Sequence, residues 1–414
     1  KTTLSVWLKR SGLGTGTFFG GGADSNNMTF INFNPNGKIF LQSSSSGSNT
    51  LVFVTTQVFR DTSAWYHIVV AIDTTQGTAS NRVKLYVNGV QVTAFDTETQ
   101  PSQNLELEWN KSGKTLEIGK YLFQSTYSLY DGSMSYVSFV DGTQELPTVF
   151  GETDSTTGEW KIKTDITPSV AWGNNGFLIL KNGNSLTDES SNSNNFTLGG
   201  GTLTETKDCP DNVFCVLNDL DTTRVLSNGN TTYAGDASGT VVKGTLGMLS
   251  GKYYAECKIL SAAQNMIGVL SIAQAPTTVF VGASAVGWGL FGDGTLYNNS
   301  SATSNFSNSF SDNDIMGIAL DMDNNKLYFS KNGVWQNSGD PTSGATGTGA
   351  VSITSGLTMT FSGGRDSASD TADFNFGNGT FGTTAIASAG TNASNNGVFE
   401  YDVPTGYTAL STKG

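Results

Sequence analysis

The sequence predicts an all-β chain, two antiparallel β-sandwich domains of jelly-roll type joined by a structured connector, and three observations lead there. Apolar residues alternate with polar ones in short segments rich in β-branched and aromatic side chains, the period of a half-buried strand. Glycine is abundant, 50 of 414 residues, and proline scarce at 8, which suits many tight turns between short strands. Only 14% of residues are charged, so the outer surface is built from Ser, Thr, Asn and Gly, while 24 Phe, 13 Tyr and 7 Trp supply two β-cores.

In chain order, the first domain (residues 1–148) reads as the strands LSVWLKR, MTFINFN, KIFLQS, LVFVTTQVF, WYHIVVAID, VKLYVNGVQV, TLEIGK and SYVSFVD. Asn88-Gly89 between apolar arms is a hairpin signal, because a type I′ turn needs positive φ at both central positions. His67, the single histidine, lies in an alternating strand and reads as structural. Its solitude excludes a His-rich zinc site and argues against a Ser-His-Asp triad. The glycine runs Gly20-Gly21-Gly22 and Gly199-Gly200-Gly201 lack a following Lys-Ser/Thr and read as loops, not phosphate cradles.

Residues 149–217 form the connector, with a short helical turn near Pro147 to Phe150. Within it the apolar run GFLIL (residues 176–180) has no local partner and is expected to pair with a sheet of the first sandwich. Cys209 and Cys215 flank the turn CPDNVFC and either pair or stay as buried thiols. Three cysteines cannot frame a disulfide-stapled fold. Residues 218–414 return to strands: KYYAECKIL, NMIGVLSIA, VGWGLFG, DIMGIALDMD, NKLYFSKNGVW, AVSITS, LTMTFSG and ADFNFG. The Leu327-Tyr328…Asn332-Gly333-Val334 segment echoes Leu85-Tyr86…Asn88-Gly89-Val90.

A net charge of −13 argues against binding a phosphate backbone, which requires a basic face. No run of about 18 apolar residues predicts membrane insertion. The chain opens at Lys1 directly on a strand and reads as part of something longer.

Candidate chemistry is sparse. Glu106-Leu107-Glu108 would put two carboxylates on one face of a strand, as hydrolysis of a glycosidic bond requires. It lacks the central Asp of a Glu-x-Asp-x-Glu pattern and reads as a solvated face. Asp321 and Asp323 share that spacing at a turn, where they serve the backbone or, alternatively, hold calcium weakly. No other cofactor is expected. Glycan binding needs aromatic faces with amide or carboxylate groups beside them. Trp288, Tyr297 and Trp335 are candidates in the second domain, although Trp288 and Trp335 also suit core packing. Asp24 and Asn26 are candidates in the first.

Two resemblances add to this reading. The segments Leu4–Arg10, Ala64–Val70, Leu85–Val90 and Leu116–Gly119 resemble the laminin-G-like/concanavalin-A-like jelly roll. The segments Gly251–Glu256, Val286–Gly289 and Asp314–Trp335 resemble the SPRY family. The connector run Asp188–Thr197 with Asp208–Phe214 looks like a linking element of virion proteins of tailed phages, especially marine ones, in which a laminin-G-like domain precedes a SPRY-like one. The resemblance implies a non-enzymatic tail-fibre or appendage protein on the virion surface that adheres to host-surface glycan. A capsid-decorating or spacer role, and more remotely a polysaccharide hydrolase, are the alternatives. Other virion proteins and a homo-oligomer are the implied partners. Laminin-G-like domains usually open with a strand ahead of the LSVWLKR-like one; GFLIL, or residues before Lys1, would supply it.

Overall fold

The computed structural model describes residues 1–120, 129–235, 240–262, 264–275, 280–365 and 369–414. They divide into two compact units, Lys1–Leu203 and Thr204–Gly414. The expected connector therefore does not stand alone. Its residues up to Leu203 belong to the first unit and those from Thr204 to the second, where Cys215 N–H already bonds the carbonyl of Leu410.

In the first unit the strands are β1 (Thr2–Arg10), β2 (Gly16–Asp24), β3 (Asn27–Phe33), β4 (Ile39–Ser45), β5 (Ser48–Thr55), β6 (Trp65–Ile72) and β7 (Val83–Val87). They continue as β8 (Val90–Gln91), β9 (Phe95–Thr99), β10 (Thr115–Ile118), β11 (Gly132–Asp141), β12 (Gly151–Thr153), β13 (Trp160–Ile162) and β14 (Phe177–Ile179). One sheet runs β14-β11-β1-β6-β7-β8 and the other β10-β2-β3-β4-β5-β9, each antiparallel throughout. Leu4, Leu8, Ile68 and Val70 of the first sheet meet Phe19, Ile31, Phe33 and Leu41 of the second, the inward half of the alternation.

The outward half of the first sheet is also covered. Val69, Ala71, Tyr86 and Val140 pack under Phe150, Ile166, Val170 and Trp172 from the segment that follows β11. A strand buried on both faces loses its polar alternation, which is why every residue of β1 is buried. β14 shows the same division over three residues: Phe177 and Ile179 enter the inter-sheet core, and Leu178 enters the outer one. It pairs antiparallel with β11 in the register Val137↔Ile179, Ser138↔Leu178 and Phe139↔Phe177, the partner expected for GFLIL. Burying three large apolar side chains at about 1.5–3 kcal/mol each makes this a firm seam. The Leu178 N–H donates to Asp188 Oδ1, so the amide that reports this ladder is that of Ile179, opposite Val137. It should exchange slowly with deuterium, and exchange as fast as in the exposed Gly199–Gly201 stretch would contradict the pairing.

Gly20, Gly21 and Gly22 lie inside β2 rather than in a loop. The expectation fails because a glycine strand can be completed by its neighbours: a side chain at 21 would meet Leu116 at 2.8 Å, so the position is filled from across the ladder. The turn expected near Pro147 is a short 3-10 segment, Pro147–Val149.

The second unit contains β15 (Leu226–Ser227), β16 (Thr232–Tyr233), β17 (Val242–Lys243), β18 (Lys252–Ser261), β19 (Met266–Ser271), β20 (Gly287–Phe291), β21 (Leu296–Asn298) and β22 (Ser301–Thr303). Next come β23 (Ile315–Asp321), β24 (Lys326–Lys331), β25 (Val334–Trp335), β26 (Val351–Ser352), β27 (Met359–Gly363) and β28 (Thr371–Asn375). One sheet runs β15-β16-β28-β18-β23-β24-β25, the other β17-β27-β19-β20-β21-β22. Their facing sides close over Ala255, Cys257, Ile318 and Leu320 on one side and Ile267, Val269, Trp288 and Phe361 on the other. The fold is thus two antiparallel β-sandwiches.

The two echoing hairpins work alike. Asn88 (φ 47°) with Gly89 (φ 77°) and Asn332 (φ 48°) with Gly333 (φ 79°) make the expected left-handed pairs. In each, the asparagine Oδ1 accepts a backbone N–H from the adjoining strand at 2.8 Å, from His67 in one and Ile315 in the other. Among the described residues no helix is long and apolar enough to cross a membrane.

Candidate functional site

The residues expected to bind or catalyse do not converge on one site. Asp24 ends β2, and its Oδ1 accepts N–H groups of Asn26 (2.8 Å) and Asn27 (3.0 Å). Those bonds hold its carboxyl below the usual range and spend it on the turn into β3. Asn26 is exposed beside it. Trp288 is 4% exposed and belongs to the inter-sheet core of the second unit, not to a binding face. Tyr297 packs edge-on to Phe280 and Phe291, and Trp335 packs against Tyr254 and Tyr328, half-buried in both cases.

Asp321 is fully buried and ion-paired to Lys252 at 3.0 Å, while its oxygens also accept from the backbone and side chain of Asn324. Asp323 is exposed and accepts the Gly251 N–H at 2.7 Å. The ammonium and the amide donors thus engage both oxygens of Asp321 and one of Asp323, oxygens that calcium would need. Among the described residues, no group of three or more His, Cys, Asp and Glu could hold a metal ion. Millimolar calcium should therefore move the melting temperature by less than about 1 °C; a rise of several degrees would expose a site in these turns.

The Glu106/Glu108 pair also separates. The chain turns into a 3-10 segment at Glu108–Asn110, so strand periodicity does not apply. Glu106 is exposed, whereas Glu108 is buried and bonded to Lys111 Nζ at 3.0 Å. Cys209 and Cys215 are not joined in a disulfide; Cys215 is fully buried, and burial raises the Cys209 thiol above its ordinary range.

His67 is fully buried with its ring stacked on Trp7, centroids 4.6 Å apart. The indole N–H of Trp160 can only donate, so Nδ1 of His67 accepts it (2.9 Å), and Nε2 carries the proton toward Ser5 Oγ (2.8 Å). A histidine in that tautomer cannot take a proton from Ser5, so the Ser5–His67 pair is structural.

Sequence reasoning missed several buried ionisable groups, of which two matter most here. Glu256 on β18 accepts the N–H groups of Glu400 and Tyr401, both at 2.8 Å, and pins the C-terminal stretch to the second sandwich. Burial pushes its carboxyl up to about 7.

The other is Arg10, at the end of β1 and 2% exposed. Its Nη1 donates to Phe59 O (2.6 Å), its Nη2 to Gly14 O (3.1 Å), and its guanidinium lies 4.6 Å from the centre of the Phe33 ring. Arg10 and Phe33 line a cleft together with the backbone of Gly12, Gly14 and Gly16. Thr15, just ahead of β2, and Tyr130 with Asp131, just ahead of β11, complete the lining. Tyr130 is fixed there, its hydroxyl donating to Lys9 O at 2.8 Å. The cleft thus offers a cation, an aromatic ring, a hydroxyl and one carboxylate. A terminal KR on a strand signals a solvated end, so nothing local marks the guanidinium as folded inward.

Architecture and site define a two-sandwich protein whose first domain carries a small polar cleft. Residues 1–143 match the concanavalin A-like lectin/glucanases superfamily, and residues 252–377 match the SPRY domain. The chain carries a concanavalin A-like domain of the laminin G type followed by a SPRY domain. Among solved structures, it is similar to the SPRY domain of human HERC1, at 16% identity and TM-score 0.31, covering 38% of this chain and 96% of that one. It is also similar to the TRIM65 PSpry domain, at 14% identity and TM-score 0.32, covering 39% and 91%. No curated protein matches it.

Proposed function

We propose that this chain is a non-enzymatic adhesion protein of a tailed-phage particle, a tail-fibre or appendage component that holds host-surface glycan. The Arg10 cleft carries the reading. Ring, hydroxyl, carboxylate and guanidinium are the groups a sugar uses, and Arg10 and Phe33 are carried by strands β1 and β3 of the sandwich while the loops beside them supply the rest. The carboxylate pair that would favour a hydrolase is divided between an exposed Glu106 and a Glu108 bonded to Lys111. The attribution to a phage particle is supported by the connector runs Asp188–Thr197 and Asp208–Phe214 and by the order of the two domains.

A glycan array on the whole chain, with immunogold labelling of the particle, tests both halves. Glycan retention and label on the tail are expected. Label on the head without glycan retention would favour the capsid-decorating role, and release of reducing sugar, lost in Glu106→Gln, would overturn the non-enzymatic reading.

A further inference from the structure

Two arginines of this chain are buried almost completely, Arg10 at 2% exposure and Arg224 at 3%. They are provided for differently. Arg224 faces Asp370 in a two-pronged ion pair, with both nitrogen-to-oxygen distances 2.9 Å. Arg10 has no carboxylate within ion-pair reach among the described residues; its bonds go to the neutral carbonyls of Phe59 and Gly14. A guanidinium has five N–H donors and keeps its charge at any physiological pH, so two carbonyls leave it under-used and unneutralised. Removing such a charge from water without a counter-charge is costly. Arg60 lies close enough to add like charge to it. In a chain of net charge −13, this concentration of positive charge is local and points at the cleft that Arg10 lines.

The rest of the lining narrows the ligand. A planar, two-oxygen anion is the shape that pairs best with a guanidinium. Asp131, the one carboxylate of the cleft, needs donors, as does the threonine hydroxyl when it accepts. A simple anion provides none; a polyhydroxylated carboxylate provides several. Tyr130 adds a ring on which the C–H face of a sugar can lie.

We propose that the Arg10 cleft is the binding site for an acidic sugar, a hexuronate or nonulosonate, whose carboxylate pairs with the Arg10 guanidinium while its hydroxyls serve Asp131 and Thr15. This rests on the adhesion reading above and sharpens it to anionic glycans. Gly12 follows from the same need: a side chain there would come within 3.0 Å of Asp131 Oδ2 and crowd the one carboxylate.

The test is calorimetric titration of the full chain with glucuronic acid, N-acetylneuraminic acid, glucose and acetate, beside an array of neutral and acidic oligosaccharides. At least one acid sugar should bind tenfold or more tightly than glucose and than acetate. Two variants assign the site. Arg10→Gln should abolish the preference. Because that change lies in the core, Gly14→Asp serves where the first does not fold. A side chain at 14 meets nothing within 4 Å, so it offers Arg10 an internal carboxylate without a clash. Gly14→Asp should weaken acid-sugar binding at least tenfold with no fall in melting temperature. Neutral and acidic sugars bound alike, or undiminished binding in Gly14→Asp, would overturn the acidic-sugar assignment and leave glycan adhesion standing. No retention of any glycan on the array would overturn both.

Discussion

Replacing Gly89 by valine should lower the melting temperature of the first domain by roughly 4–24 °C. Two costs add. The turn holds residue 89 at φ 77°, a conformation in which a β-branched residue is strained by about 1–3 kcal/mol. A Cβ there would also lie 2.4 Å from Cε3 of Trp160, and overpacking typically adds about 1–3 kcal/mol. For a domain of this size each kcal/mol corresponds to about 2–4 °C. Gly89→Ala should show part of the same loss, because the clash and the φ remain. Thermal unfolding followed by circular dichroism checks both, and a melting point within a degree of the parent would refute the turn.

The first domain should lose stability steeply in acid because of His67. Burial holds its imidazole down at about 3, against an ordinary value near 6.5. The unfolded chain takes up a proton below pH 6.5, whereas the folded one resists until about pH 3. Stability therefore falls as pH drops through that window, by up to roughly 4–5 kcal/mol, and is unaffected by this group above pH 6.5. Geometry says the same: a protonated ring would set a second donor against the Trp160 N–H. Because the sequence has one histidine, its imidazole resonances need no assignment. They should stay fixed from pH 8 to 4 in the folded protein, and a titration near 6.5 would show the ring to be solvated.

Much of the fold was legible because its signals are local or stoichiometric. Asn88-Gly89 and Asn332-Gly333 announce their hairpins, since few other dipeptides tolerate two successive left-handed residues. Phe177–Ile179 announced a distant partner by being apolar with none nearby. Gly20–Gly22 misled because what completes a glycine strand is the side chains of its neighbours, such as Leu116, and these are not adjacent in sequence. Glu106 and Glu108 misled because a period-2 argument assumes a strand, and the chain turns at that point. The site was the least legible part. Arg10 is distinguished by having no carboxylate partner among the described residues, and that is a property of the fold rather than of the residues beside it.

The position of β14 has a consequence for how the protein is made. Its partner strand β11 ends at Asp141, about 38 residues before Ile179 completes the sheet. At a synthesis rate of about 5–20 residues per second, the nascent chain spends roughly 2–8 seconds with the β11 edge open and its ladder groups unpaired. An open edge on a concentrated polysome invites pairing between neighbouring chains. The intervening stretch carries Ile166, Val170 and Trp172, which cover the outer face of the same sheet, so until they are made that face waits for its cover as well. Slowing translation within this stretch should increase the insoluble fraction, while the same delay placed after Leu203 should not.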